Sequence, residues 1–472
     1  MEKGSVSARL SRGLLVLAVV VILWLLPVPA KLTPVSWHLF AIFAGVILGL
    51  ILQPLPMGAI VILGLSVAAI TRVLAPADIL SGFANTVVWL IVSAFMFARG
   101  FIRTGLGRRI AYTLIKAFGG TSLGLAYSVL VSDLVISPAT PSNTARGGGI
   151  IFPIVRSLAE ALGSKPGSTA DKIGSFLMLS EFHGNLITSA MFITACAPNT
   201  FMTQLAQKTF NVNITWGLWA LAALVPGVVG LLLVPMLIYR LSPPEVKRSP
   251  EAPKLAQAEL QKMGPMTTAE KVMLFVFLAT LLLWATGQWN KLDATMVAFA
   301  GVSLMLIGGA VTWDDVLGEK GAWDALIWFG GLTSLAGALA KVGFIKWFAD
   351  FIAAGLPRGS WVAALVIVVL VYTYSHYLFA TITAHVTAMY VPFATIAVAT
   401  GASPLLTSLI LAFFSNLMPA LTHYGTGPAP IYFGAGYVSQ SKWWKIGFLM
   451  ALVSVVIWLG IGSLWWKVIG LW

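Results

Sequence analysis

Charge is scarce in this chain. Only 10% of its 472 residues are Asp, Glu, Lys or Arg, against 58% hydrophobic. A soluble domain carries about 25% charged residues, so this chain has too few to cover a water-facing surface. Cysteine is nearly absent. Cys196 stands alone, which excludes an intramolecular disulfide and a Cys-based zinc cluster. The alternating segments of about 10 residues that mark a membrane β-barrel are missing. So is a G-x-x-x-x-G-K-[ST] loop, which argues against an ATP-driven pump. No HExxH motif or paired aspartate lies inside the apolar stretches. The acid–base or metal set of an intramembrane enzyme is therefore lacking, and no catalytic residue, cofactor or metal ion is expected.

What the chain has instead is apolar length. Its mean hydropathy is +0.91, and runs of helix-spanning size recur throughout. A bilayer core of roughly 30 Å needs about 20 such residues per helix. Backbone groups must be satisfied internally in lipid, which leaves helices as the spanning elements. The expected class is an all-α polytopic membrane protein.

The net charge of +13 arises from 29 Lys and Arg against 16 Asp and Glu. Arg9, Arg12, the Arg103, Arg108, Arg109 and Lys116 cluster, and Lys442 with Lys445 all flank apolar segments. That pattern fits basic cytoplasmic loops. No RNA or DNA motif accompanies it, so no nucleic-acid partner is expected. An anion pathway would also favour positive potential. Residues 13–29 resemble a signal-peptide core, with Val28-Pro29-Ala30 as a cleavage site. The length of the run and Pro29 beside the cut favour an uncleaved first span.

Spans are expected near 13–30, 36–54, 57–75, 84–102 and 121–138, with a helix at 147–161, a broken span at 174–206 and a span at 214–240. An amphipathic stretch lies at 105–118. The Pro-rich, basic segment 241–270 reads as a cytoplasmic linker between an N-terminal half, 1–240, and a C-terminal half, 271–472. The second half repeats the order: 271–288, 294–312, 323–341, an amphipathic stretch at 344–355, then 360–378, 384–400, a broken span at 404–437, and 443–468. The total is about 11 spans.

Two polar motifs echo each other across these halves. Ser142-Asn143-Thr144-Ala145-Arg146 and Thr381-Ile382-Thr383-Ala384-His385 stand 381 − 142 = 239 residues apart. Pro153 and Pro392, and Trp89 and Trp328, keep the same offset. An odd number of crossings per repeat would invert one half against the other, the plan of many secondary transporters. Short helices flanking the motifs suggest two re-entrant hairpins, tolerated only where protein or water surrounds the backbone. Ser, Asn and Thr favour helix N-caps, and a helix N-terminus attracts anions. The plain alternative is an ordinary cap at a loop.

The run from Pro141 through Pro153 resembles the divalent-anion:sodium symporter family, and more narrowly its 2-oxoglutarate/malate translocator and citrate/succinate antiporter branch. Glu181-Phe182-His183-Gly184-Asn185, Thr383-Ala384-His385-Val386-Thr387 and the Thr422–Pro430 segment carry the same resemblance, which covers nearly the whole chain. It implies two Ser-Asn-Thr tips that contact substrate carboxylates. Here Thr381-Ile382-Thr383 departs from that pattern, and Ile382 removes an amide. The resemblance assigns Asn143, Thr144 and Thr383 to substrate, with Ser142 and Thr381 either binding or holding the tips. Unwound segments carrying Thr194 and Pro198, and Thr426 and Pro428, would face those tips. Asn185, Asn199, Asn416 and Thr387 are secondary candidates.

Arg146 and His385 occupy equivalent positions. A charge near the bilayer midplane costs at least about 2.5 kcal/mol and needs a partner. A dicarboxylate supplies two negative charges, so Arg146 and His385 are read as fixed cations in place of sodium. Alternatively, Arg146 faces the cytoplasm and His385 caps a turn. The expected function is sodium-independent antiport of di- or tricarboxylates (2-oxoglutarate, malate, succinate, citrate) in the inner cell membrane. Elevator-type alternating access and a homodimer embedded in membrane lipid follow from the resemblance. Sodium-coupled symport, an intramembrane enzyme and a channel are the alternatives.

Overall fold

The computed structural model describes residues 6–345, 347–348, 351 and 360–472. Ten helices among the described residues are long and apolar enough to cross a membrane. This is close to the expected count of about 11. Met57–Ile70 and Ala294–Ile307 are apolar but hold only 14 residues each, about 21 Å of helix.

The first half contains α1 (Val6–Leu25), α2 (Pro34–Leu52), α3 (Met57–Ile70), α4 (Thr86–Thr104), α5 (Leu106–Phe118), α6 (Ser122–Ile136), α7 (Phe152–Ala161), α8 (Gly174–Met191), α9 (Ala197–Phe210) and α10 (Trp216–Leu241). Hydroxyl or amide caps start many of them. Thr33, Asn85, Thr121 and Thr215 each accept a backbone N–H from the first turn of the helix that follows, which satisfies donors a helix start leaves open. The amphipathic α5 begins after Gly105, whose φ of 79° lets α4 end in a left-handed turn.

The expected linker is not a loop throughout. Glu251–Met263 forms α11, which lies along α5. Arg109 of α5 clasps the linker's end, donating to Gly264 O at 2.9 Å and to Glu270 Oε1 at 2.6 Å. Glu270 also closes a capping box with Thr267 at the start of α12 (Thr268–Ala285).

After α12 come α13 (Ala294–Ile307), α14 (Lys320–Lys341), α15 (Trp361–Tyr374), α16 (Val391–Ala399), α17 (Pro404–Leu417), α18 (Pro428–Gly434) and α19 (Gln440–Val455), which runs on to Val468. The amphipathic stretch expected at 344–355 falls largely outside the described residues.

The order of elements around the two motifs recurs. α6 ends in a tight turn at Ser137–Ala139, and α15 ends in one at Ser375–Leu378. A widened, π-helical stretch begins within the first motif, Thr144–Ile151, and directly after the second, Val386–Tyr390. The repeated proline explains both. Pro153 and Pro392 have no N–H to return to the preceding turn and crowd its carbonyl, and the helix relaxes by widening upstream.

The broken spans appear where expected. α8 stops at Met191, the chain turns through Ile193–Ala195, and Pro198 opens α9. α17 stops at Leu417, turns through Met418–Leu421, and resumes at Pro428. Every residue of α8 is buried, as is every residue of α17 from Leu406 to Leu417. These two helices pack on each other at the centre of the molecule. Their polar side chains, Asn185, Thr188, Ser189 and Asn416 among them, therefore have to find partners inside the protein.

Candidate functional site

The bend after α6 brings the first polar motif against the second half of the chain. Asn143 Nδ2 donates to Thr426 Oγ1 at 2.9 Å, across 283 residues of sequence. Thr144 stands beside it, so close to Gly427 that a Cβ there would lie 1.9 Å from Thr144 Oγ1. Glycine at 427 is what lets the unwound segment approach the motif. Asn143, Thr144, Thr426 and Pro428 thus gather in one place.

Two hydroxyls named with them have partners already. Ser142 Oγ accepts the N–H of Ala145 at 3.1 Å, and Thr381 Oγ1 accepts that of Ala384 at the same distance. Both are helix caps, and each hydroxyl keeps its own O–H to donate. Thr194 is spent. Its hydroxyl donates to Pro138 O and accepts from Trp216 Nε1, fastening the break of the first span to the bend. The Thr383 hydroxyl takes no partner among the described residues, while Thr383 O accepts from Thr387 Oγ1 at 2.6 Å. Ile382 is buried in the core.

The two breaks are tied together at the centre. Asn416 Nδ2 donates to Asn199 Oδ1 at 2.6 Å. Asn199 in turn donates to Ser189 O and Phe192 O, holding the frayed end of α8. These amides replace backbone bonds that the break removes.

Arg146 overturns one expectation. It neither faces the cytoplasm nor waits for a substrate. It is fully buried, and its charge belongs to Asp133 of α6, with Nε to Oδ1 at 2.9 Å. Its Nη1 donates to Thr140 O and Ala195 O, both at 3.0 Å. Its Nη2 donates to Thr188 Oγ1 and Ser189 Oγ. A guanidinium has five N–H donors, and all five are used. The partner expected to be a dicarboxylate is a protein carboxylate. Asp133 is itself held by Asn185 Nδ2 at 3.1 Å and by the Thr188 hydroxyl.

His385 lies in a different setting. Its Nδ1 meets His376 Nδ1 at 2.9 Å, and its Nε2 meets Ser375 Oγ at 3.3 Å. Its ring stacks on Phe379 and against Tyr372, with centroids 4.5 Å away in both cases. No ion pair with an acidic side chain is present at His385 among the described residues. His376 also donates Nε2–H to Gly425 O at 2.9 Å, since a carbonyl can only accept. A neutral His376 then offers a bare Nδ1, and His385 Nδ1–H donates to it.

The same three positions meet in each half. Tyr372 corresponds to Asp133 (372 − 133 = 239) and Phe379 to Thr140 (379 − 140 = 239). Asp133 and Thr140 hold Arg146, whereas Tyr372 and Phe379 hold His385. One half binds its cationic position through oxygen, the other through rings. Sequence reading did not pair Asp133 with Arg146. It also passed over His376 as a site residue.

Removing one partner of a buried ion pair strands a charge, at a cost of about 3–5 kcal/mol, while removing both is far milder. Asp133→Asn should therefore lower the melting temperature of the detergent-solubilised protein more than Asp133→Asn combined with Arg146→Gln. Melting curves of both variants check this. Equal or additive losses would mean the two side chains do not act as a pair.

A family model described as the sodium:sulfate symporter transmembrane region matches residues 7–472. The chain is 52% identical over 460 residues to YflS of Bacillus subtilis, a proposed malate transporter, covering 97% of this chain and 96% of that one. It is 48% identical over 455 residues to the chloroplastic dicarboxylate transporter 1 of Arabidopsis thaliana, covering 96% of this chain and 82% of that one. It is 37% identical over 463 residues to the inner membrane protein YbhI of Escherichia coli, with 97% of each chain covered. Among solved structures it resembles the YdaH transporter of Alcanivorax borkumensis, with a TM-score of 0.55, 11% identity and 98% of each chain covered, a likeness of fold alone. This multi-pass membrane chain is a transport protein rather than an enzyme, and it belongs to the divalent-anion:sodium symporter family.

Proposed function

We propose that this protein exchanges one dicarboxylate anion for another across the inner cell membrane without sodium. The class of cargo is supported by the relatives named for malate and dicarboxylate transport. 2-Oxoglutarate, malate and succinate are the candidates, with citrate as a tricarboxylate extension. Asn143, Thr144, Thr383 and Thr426, near Pro428 and Pro198, supply donors or helix starts for the carboxylates. Ser142, Thr381 and Thr194 hold the backbone that presents them.

The observation that carries this reading is the pair of carbonyls on Arg146. Thr140 O belongs to the bend and Ala195 O to the break between α8 and α9. Carbonyl oxygens converging where two chain segments unwind suit a small cation. Here a guanidinium takes them, so the protein brings its own cation to that place.

His385 is the proposed counterpart. Ser375 Oγ donates to Tyr372 O at 2.8 Å, so its lone pairs face His385 Nε2. With Nδ1–H directed at His376, an imidazolium at 385 would have an acceptor for each N–H and the Tyr372 ring alongside. Because Asp133 neutralises Arg146, the empty carrier's charge would come from His385 alone. The Thr383 hydroxyl, unpaired among the described residues, adds to the cost of moving the site without substrate, which favours exchange.

The repeated order of elements supports inverted halves, 1–240 and 271–472, joined by the 241–270 segment, with the two motifs on re-entrant hairpins. Elevator-type alternating access in a homodimer completes the reading by family.

Uptake of labelled 2-oxoglutarate into proteoliposomes, with and without internal malate and in sodium or choline buffer, tests it. Internal malate should drive uptake equally in both buffers. Strong sodium stimulation of uptake into empty vesicles would instead establish symport, the coupling in the family's name. In the same assay Thr383→Val removes one hydrogen bond to a charged group, about 1.5 kcal/mol or more. The apparent affinity should fall roughly tenfold. Unchanged affinity would take Thr383 out of the site.

A further inference from the structure

Glu181 is a buried acid that none of these roles employs. It lies in α8 one turn before Asn185 and two turns before Thr188. Spacings of four and seven place the three on one helix face. Asn185 and Thr188 spend that face on Asp133, and Thr188 also takes a bond from Arg146. Glu181 is 0% exposed, and neither of its carboxyl oxygens receives a hydrogen bond from the protein.

An ionised carboxylate is an acceptor with about four lone-pair sites, and a buried one without donors is strongly disfavoured. The surroundings do not compensate it. The charges that reach it are Asp133, which repels it, and Arg146, whose five donors are already taken. Tyr432 of α18 also faces it, but the Tyr432 hydroxyl donates to Gly147 O at 2.9 Å. His183 sits two positions along the helix, turned away from that face, with its ring against Phe182.

The remaining elements packed on α8 offer no charge to it. α17 and the turns Ile193–Ala195 and Met418–Leu421 contain no acidic or basic residue. On α7, Arg156 and Glu160 pair with each other. In the turn before α8, Asp171 pairs with Lys442, and its neighbour Lys172 lies at the helix's far end. Tyr239 and Arg240 lie near the end of α10, where Tyr239 meets Phe176. The neutral acid is the form this place suits.

We propose that Glu181 is a proton-binding site linked to anion binding at the neighbouring motif. With its proton on, Glu181, Asp133 and Arg146 sum to zero charge. When the carboxyl O–H gives its proton to water, the sum becomes −1, on the face of α8 that holds Asp133 and, through it, Arg146 of the motif. Proton and dianion then promote each other's binding, since such coupling is reciprocal. This rests on the anion reading of the motif region.

The test uses the full-length protein and Glu181→Gln, which imitates the protonated side chain without titrating. Malate exchange is measured in proteoliposomes at equal pH on both sides, over the range where malate remains a dianion. The KM of the unmodified protein should rise about tenfold from the low to the high end, while that of E181Q stays flat. Infrared difference spectra between the two proteins should show a protonated-carboxyl C=O band. That band should fade as pH rises and recover when malate is added. Parallel KM profiles, no such band, or a band that ignores both pH and malate would each overturn the proposal. The fading with pH needs no transport, so it tests Glu181 even if malate proves not to be a substrate.

Discussion

A single buried ion pair organises the centre of this molecule. Arg146 and Asp133 are both fully enclosed, and a pair in that position contributes little net stability once its desolvation is counted. What it contributes is registry. The guanidinium joins the end of α6, the bend at Thr140, the last turn of α8 and the break at Ala195 through one planar fork. Lysine could not do this, having three donors on a point charge instead of five in a plane. Arg146 takes Thr140 O of the bend and Ala195 O of the break, while Asn199 takes Ser189 O and Phe192 O.

The two halves use one backbone plan with different chemistry. Tight turn, cap, widened helix and proline follow in the same order after Ile136 and after Tyr374. Yet the oxygen ligands of the first half become rings in the second, with Tyr372 and Phe379 around His385. A guanidinium cannot lose its charge, whereas an imidazole can. The asymmetry of Asn143 and Ile382 therefore belongs to a wider one, between a permanently charged side and a titratable side.

Much of this was legible in the sequence because it rests on local rules. Scarce charge and apolar runs gave the membrane class, the 239-residue offset gave the duplicated bends, and Pro198 and Pro428 marked where the broken spans resume. The linker helix Glu251–Met263 was hidden because its partner is the distant face of α5. The partner of Arg146 was hidden for a related reason. Asp133 is 13 residues away in sequence, and only the fold-back at Ser137–Ala139 brings it to the guanidinium. Hydroxyl chemistry alone did not separate the cap at Ser142 from the free group at Thr383, since both residue types suit either role.

The central claim is that a fixed guanidinium stands where a mobile cation would otherwise bind. The most direct measurement is equilibrium binding of radiolabelled sodium to the purified protein, with and without a saturating dicarboxylate. The account predicts no sodium bound above background in either case. Stoichiometric sodium binding that strengthens when the dicarboxylate is added would contradict it.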